Sequence, residues 1–401
     1  MSELRARLDE LDRRGLRRRT RLVEGPQGPR VQLEGRPVTL LCSNNYLGLA
    51  SHRQVREAAA EAALRYGAGA GASRLVSGTM SVHRELEREL AEFEGAEACL
   101  LFGAGYLANI GAIGALAGRG DVVFSDELNH ASIVDGCRLA QAQTIVYRHA
   151  DVEHLGACLQ QHRGSGRALI ATDSVFSMDG DLAPLAEIVA LARAHDARVL
   201  VDEAHATGAL GPGGRGAVAA AGLAGEVDVI VGTLGKALGS YGAYVCADAV
   251  TIRYLVNVAR PFIFSTAPPP PAVAAAAAAL GLLRAHPELT DELRSAAASL
   301  RGALVAEGFA VSASEMHIVP LLVRDERVAV ELCEAAIERG VFAQAIRPPT
   351  VPPGTSRLRL AVMAGHGAPE LRRAAAALRE AAEAVGLDPR EVGEALPALA
   401  G

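Results

Sequence analysis

Among its 401 residues the chain has no tryptophan and one lysine, Lys236. Lysine and arginine together number 40, which leaves 39 arginines. Guanidinium serves ion pairs, phosphates and surfaces well, but its pKa is too high for it to act as an amine nucleophile. Amine chemistry is therefore confined to one position. A coding bias against lysine would leave its last lysine on a surface. The neighbourhood Thr233-Leu-Gly-Lys236-Ala-Leu-Gly239 instead follows an apolar run.

Other absences narrow the class. No window reaches the ~20 continuous apolar residues of a membrane span, and the Ala-rich stretch Ala272 to Leu283 is too short and too weakly apolar. The N-terminus carries Glu3, Arg5, Arg7, Asp9 and Glu10 in a helical pattern, without a hydrophobic signal core. Cys42, Cys99, Cys137, Cys158, Cys246 and Cys333 show no C-x-x-C spacing, which argues against a zinc site or a disulfide framework. Net charge is −6 with both signs dispersed, so neither nucleic acid nor an acidic membrane is an expected partner. A cytoplasmic protein with no metal is expected, large enough for two domains.

What is present alternates. Short apolar runs at Asp121–Phe124, Ala168–Ala171, Arg198–Val201 and Val227–Val231 read as strands. Leu185, Ile188, Val189 and Ala192 recur between two of them at helical spacing. Such alternation predicts an α/β fold with a mostly parallel sheet between helices. Residues 1–44 read as an N-terminal arm, 45–285 as the large domain and 286–401 as a small α+β domain. Helices are expected at Val328–Arg339 and Pro369–Val385, with strands around Ile318–Val323 and Arg357–Val362.

Polar residues follow each central run: Ser125, Asp126, Asn129 and His130; Asp173, Ser174 and Ser177; Asp202 and His205; Thr233 and Lys236. Ligand sites of open parallel sheets lie outside the carboxyl ends of the strands. A reactive lysine, an aspartate after another strand and a nearby hydroxyl suit pyridoxal phosphate. The amine holds its aldehyde as an imine, and the carboxylate keeps its ring nitrogen protonated. Gly103-Ala-Gly105-Tyr106, ahead of an apolar helical stretch, offers backbone N–H groups to the phosphate. Nucleotide loops fit less well. Ile230 and Ala237 break a P-loop pattern around Gly235-Lys236, and Gly67-Ala-Gly-Ala-Gly-Ala72 ends on Ala after a helical stretch.

The segments Asn44-Asn-Tyr-Leu-Gly-Leu49, Ser174-Val-Phe-Ser-Met-Asp-Gly-Asp181, Asp202-Glu-Ala-His205, Thr233-Leu-Gly-Lys236 and Ile346-Arg-Pro-Pro-Thr-Val-Pro352 together resemble the α-oxoamine synthases, over about residues 4–385. The resemblance implies fold type I architecture, a homodimer with sites at the subunit interface, and an acyltransferase. It matches Lys236 to the cofactor-bearing lysine, Asp202 to the pyridine partner, His205 to the ring-hydroxyl contact and His130 to the imidazole on the ring face. These four are the expected catalytic residues. Gly105, Tyr106, Ser177 and Thr233 match further cofactor contacts, and Thr266 a phosphate contact reaching across the dimer. Asn44 and Arg359 match groups that hold the amino-acid carboxylate, for which a guanidinium fork is well shaped. Arg17 and Thr350 align with acyl-substrate contacts, and Arg347 is a candidate contact for an acyl or carboxylate group.

Within the family, the segments resemble the biotin-pathway branch, which condenses L-alanine with a pimeloyl thioester of coenzyme A or acyl-carrier protein. Ser73 stands where glycine-specific members carry Thr, leaving room for the methyl of alanine. Ala70, Ala72, Asp173 and Ala206 depart from the family's more usual residues, which bears on substrate preference rather than on the cofactor. A glycine acetyltransferase remains the alternative. An aminotransferase on the same fold and a non-catalytic sensing module stand further off.

Overall fold

The computed structural model describes residues 2–162, 166–312, 314 and 316–393. Its contacts divide the chain into two units, Leu49–Ser177 with Asp181–Thr290, and Met1–Gly48 with Met178–Gly180 and Asp291–Gly401. The first 48 residues thus group with the C-terminal part.

In the larger unit, the described residues form a sheet of seven strands. Their spatial order is Ala98–Phe102, Ala243–Ala247, Val229–Thr233, Ala197–Asp202, Ala168–Asp173, Val122–Asp126, Gln143–Tyr147. The last five pair in parallel, and Ala243–Ala247 runs antiparallel to both its neighbours. Parallel strands covered on both faces read as continuous apolar runs, and Val122–Asp126 is buried at every residue, as is the antiparallel Ala243–Ala247. Val123, Leu169, Leu200, Val231 and Val245 form one core with Ala108, Ala112 and Ile113 of the helix Gly105–Leu116. Each Val, Leu or Ile among them contributes about 1.5–3 kcal/mol on burial. The helix Ala131–Ala140 packs so closely on Gly105–Leu116 that a Cβ at Gly136 would stand 3.0 Å from Ile113 Cδ1 and 3.3 Å from the Asn109 carbonyl oxygen.

The strands extend beyond the apolar runs of the sequence. Asp126, Asp173, Asp202 and Thr233 are the last residues of their strands, not the first residues of loops. Ladder pairing continues through them, as between Asp173 and Asp202. Ala98–Phe102, Gln143–Tyr147 and Ala243–Ala247 had no strand expectation.

The smaller unit holds the antiparallel sheet Ile318–Arg324, Ser356–Ala361, Gln344–Ile346. A second sheet joins Val23–Glu24, Arg30–Leu33 and Arg36–Leu40 to Val341–Phe342, whose pairing is parallel. The helix Glu326–Glu338 is capped by the Asp325 carboxylate, which accepts from the N–H groups of Arg327 and Val328 at 2.8 and 3.0 Å. It buries Ala329, Leu332, Cys333, Ala336 and Ile337, the spacing of one helical face. The helix Ala368–Ala384 repeats the pattern with Leu371, Ala374, Ala375 and Leu378.

Candidate active site

Lys236 lies in the turn between the antiparallel strands Val229–Thr233 and Ala243–Ala247. Gly239 makes that turn possible. Its φ is +59°, and a Cβ there would fall 2.3 Å from the backbone nitrogen of Ala50. Hydrogen bonds from Leu234 N–H to the Gly242 carbonyl at 2.9 Å and from Ser240 N–H to the Leu234 carbonyl at 2.8 Å close the turn. The Lys236 Nζ stands 2.7 Å from Nε2 of buried His205. At that separation the two nitrogens share one hydrogen, with one as donor and the other as acceptor.

Asp202 is buried at the end of its strand. Its carboxylate accepts from Asn109 Nδ2 at 2.6 Å and from the Ala204 N–H at 2.8 Å. The other Asn109 amide hydrogen goes to Ser132 Oγ at 2.9 Å, and Ser132 Oγ lies 2.7 Å from His130 Nδ1. His130 also caps the helix Ala131–Ala140, its Nδ1 accepting from the Ser132 N–H at 3.3 Å. The His130 N–H donates to the Asp173 carboxylate at 2.6 Å. Burial, reinforced by the Asp202 charge, holds the Asp173 carboxyl far above the ordinary aspartate range.

The helix Gly105–Leu116 begins after Ala104, whose side chain offers no cap. The cap residue thus offers the first N–H groups no side-chain acceptor, and among the described residues nothing lies within 4 Å of a Cβ added at Gly105. Such an end is an anion cradle. Tyr106, 42% exposed on the first turn, donates its hydroxyl to the Asp135 carboxylate. Thr233 Oγ1 accepts from the Gly235 N–H and donates to the Gly242 carbonyl, each at 3.2 Å. Ser177 is half-buried at the edge of the same unit. An amine, a buried carboxylate, two imidazoles and an uncapped helix end are a donor set that fits pyridoxal phosphate. Lys236 would carry it, Asp202 face its ring nitrogen, and the Gly105 end take its phosphate.

Ser73 and Thr266 form an isolated antiparallel bridge, with the Ala267 N–H on the Ala72 carbonyl at 3.0 Å. In the smaller unit, Arg359 is buried on Ser356–Ala361 and donates to Asn44 Oδ1 at 3.3 Å, which also accepts from the Tyr46 hydroxyl at 3.0 Å. The Arg347 guanidinium donates to the carbonyls of Gly15 and, at 3.3 Å, Arg17. The Arg17 side chain pairs with Asp12 at 2.5 Å on the surface. Thr350 is exposed, its N–H on the Arg347 carbonyl at 3.1 Å.

Sequence reasoning missed Asn109 and Ser132. The available signal was one polar residue inside Leu107-Ala-Asn109-Ile-Gly-Ala-Ile, where an unpaired amide costs about 1–3 kcal/mol on burial. A chain that keeps such a residue has a partner for it.

A family model described as aminotransferase class I and II matches residues 36–378. The 8-amino-7-oxononanoate synthase of Geobacter sulfurreducens is 53% identical over 383 residues, which cover 95% of this chain and 98% of that one. A high-resolution structure of serine palmitoyltransferase with pyridoxal phosphate superposes with a TM-score of 0.91 at 35% identity, covering 96% of this chain and 98% of the other. The 8-amino-7-oxononanoate synthase structure from Francisella tularensis gives a TM-score of 0.74 at 25% identity, over 86% and 98% of the two chains.

Proposed function

The chain belongs to the class I and II aminotransferase family and to its α-oxoamine synthases, and on that footing we propose that it is a pyridoxal-phosphate-dependent acyltransferase making 8-amino-7-oxononanoate from L-alanine and a pimeloyl thioester. The product belongs to biotin biosynthesis; CO2 and the free thiol of coenzyme A or acyl-carrier protein are released. The observation that carries this reading is the 2.7 Å approach of Lys236 to His205 in the same unit as the buried Asp202.

When bound, the cofactor supplies a sink for the electron pair left at Cα by a broken C–H or C–COO⁻ bond. The protein's part is proton transfer and positioning. Lys236 would hold the cofactor before substrate binds, and its amine would take the Cα proton of alanine. His205 at 2.7 Å orients its Nζ and accepts or returns a hydrogen. Asp202 is held by two N–H donors, so its charge is fixed in direction before substrate arrives. The Cα carbon bonds to the thioester carbonyl carbon, and the C–S bond breaks with the thiolate taking up a proton. The carboxyl group then leaves as CO2, and a proton returns to Cα.

Substrate and assembly assignments rest on the resemblance. Arg359 with Asn44 holds the alanine carboxylate; Ser73 leaves room for its methyl; Arg17, Arg347 and Thr350 serve the acyl arm. Tyr106, Gly105, Ser177 and Thr233 hold the cofactor, and Thr266 reaches the phosphate of a second copy in a cytoplasmic homodimer. No described helix is long and apolar enough to cross a membrane.

The deciding experiment crosses alanine, glycine and serine with acetyl, succinyl and pimeloyl thioesters and measures thiol release. Alanine with pimeloyl is expected to stand out. A preference for glycine with acetyl would replace this assignment by a glycine acetyltransferase.

A further inference from the structure

The groups around His130 form a chain of hydrogen bonds in which every hydrogen can be placed. At one end, the Ser132 backbone N–H can only donate, so His130 Nδ1, which receives it at 3.3 Å, carries no proton. The Ser132 hydroxyl, 2.7 Å from the same Nδ1, is then a second donor to it. Its oxygen accepts from Asn109 Nδ2 at 2.9 Å. At the other end, the Asp202 carboxylate accepts the remaining Asn109 amide hydrogen at 2.6 Å. A flipped Asn109 would set amide oxygen against carboxylate oxygen, so the orientation follows from the chemistry. Asn109 is 1% exposed and Ser132 fully buried, which keeps water from substituting for either.

We propose that Asn109 and Ser132 are a positioning pair that fixes His130 as a neutral imidazole with its proton on Nε2 and ties that ring to Asp202. The catalytic consequence rests on the pyridoxal-phosphate reading. A cationic imidazole on the ring face would oppose a ring nitrogen that Asp202 keeps protonated, whereas a neutral one does not. The surrounding charges are divided. Burial lowers the His130 pKa, the Asp202 carboxylate raises it and the Lys236 amine lowers it; Asp173 touches its backbone N–H. The residue keeps an exposed edge, so the hydrogen bonds and not desolvation carry the argument.

The test is long-range proton–nitrogen correlation of histidine rings in the full-length protein, with and without cofactor, the His130 signals being those lost in His130→Asn. One tautomer protonated at Nε2 is expected near neutral pH. Ser132→Ala removes one donor to Nδ1 and should raise the His130 titration midpoint by about 0.5–1 unit, with the acid limb of kcat/KM for alanine moving by the same amount. Asn109→Ala should shift the midpoint less, because the Ser132 hydroxyl still reaches Nδ1. It should instead slow deuterium exchange at alanine Cα by about tenfold through the lost bond to Asp202. A proton on Nδ1 in the unmodified protein overturns the proposal, as does an unmoved midpoint in folded Ser132→Ala. Unchanged exchange in Asn109→Ala removes Asn109 from the pair. Borohydride trapping with peptide mapping tests the cofactor reading separately: absence of label on Lys236 would sink that reading and leave the tautomer result standing.

Discussion

Lys236 Nζ lies 2.7 Å from His205 Nε2, so the chain's single side-chain amine rests against an imidazole. An imidazole can accept a hydrogen from the amine or donate one to it, according to which ring nitrogen is protonated.

Lys236→Ala should keep the fold, because the side chain sits half-buried in a turn held by backbone hydrogen bonds. Turnover should fall by roughly 10²–10⁴-fold or more, the range for losing a positioned proton acceptor. Borohydride should no longer fix cofactor to the protein. Retained turnover measured by thiol release would contradict the role.

Asp202→Asn conserves shape but removes the charge at the end of its strand. Deuterium exchange at alanine Cα should slow by roughly 10²–10³-fold, as for other preorganised electrostatic groups. Cofactor absorbance should survive dialysis. Near-normal exchange would refute the role of the carboxylate.

Glu94 is buried with its carboxylate accepting from the Tyr244 hydroxyl at 2.5 Å. Burial pushes its pKa up to about 8, above the ordinary glutamate value of 4.5. A carboxyl with a raised folded-state pKa contributes stability that is complete below pH 4.5 and lost as pH rises through about 8. Glu94→Gln, which cannot ionise, should lose less stability than the parent between pH 5 and 9. The gap in unfolding free energy should grow by on the order of 3–5 kcal/mol. Parallel Tm-against-pH curves would show that the Glu94 carboxyl ionises in the folded protein over the ordinary glutamate range.

His149 bridges two carboxylates, with Nδ1 3.0 Å from Asp126 and Nε2 2.6 Å from Asp181. Burial opposes the imidazolium, but hydrogen bonds to both aspartates outweigh it and raise the pKa to about 10. The sign is that of a raised histidine: its stabilisation is full below about pH 6.5 and disappears as pH rises through about 10. His149→Gln should lower Tm at pH 7 and flatten its decline from pH 7 to 10. An equal slope in both proteins would show that the ring is neutral throughout.

Much of this protein was legible in local pattern. The alternation of apolar runs and helical spacing marked the α/β class, because periodicity records which faces a segment buries. A lysine spared where 39 arginines met every other need for basic charge marked the site of amine chemistry, because no other side chain does it. Aspartates and histidines just past those runs marked the ligand edge of the sheet.

Pairing in space decided the rest. Asp202 belongs to its strand because the neighbouring strands continue the ladder, which no local propensity encodes. Ala98–Phe102 and Ala243–Ala247 become strands by pairing with each other across more than a hundred residues. Arg347 spends its guanidinium on the carbonyls of Gly15 and Arg17 because the fold brings the two segments together. Asn109 acquires its role from Asp202, 93 positions away. A hydrogen bond depends on distance and direction between atoms, and in a sequence those are unspecified until the backbone closes on itself.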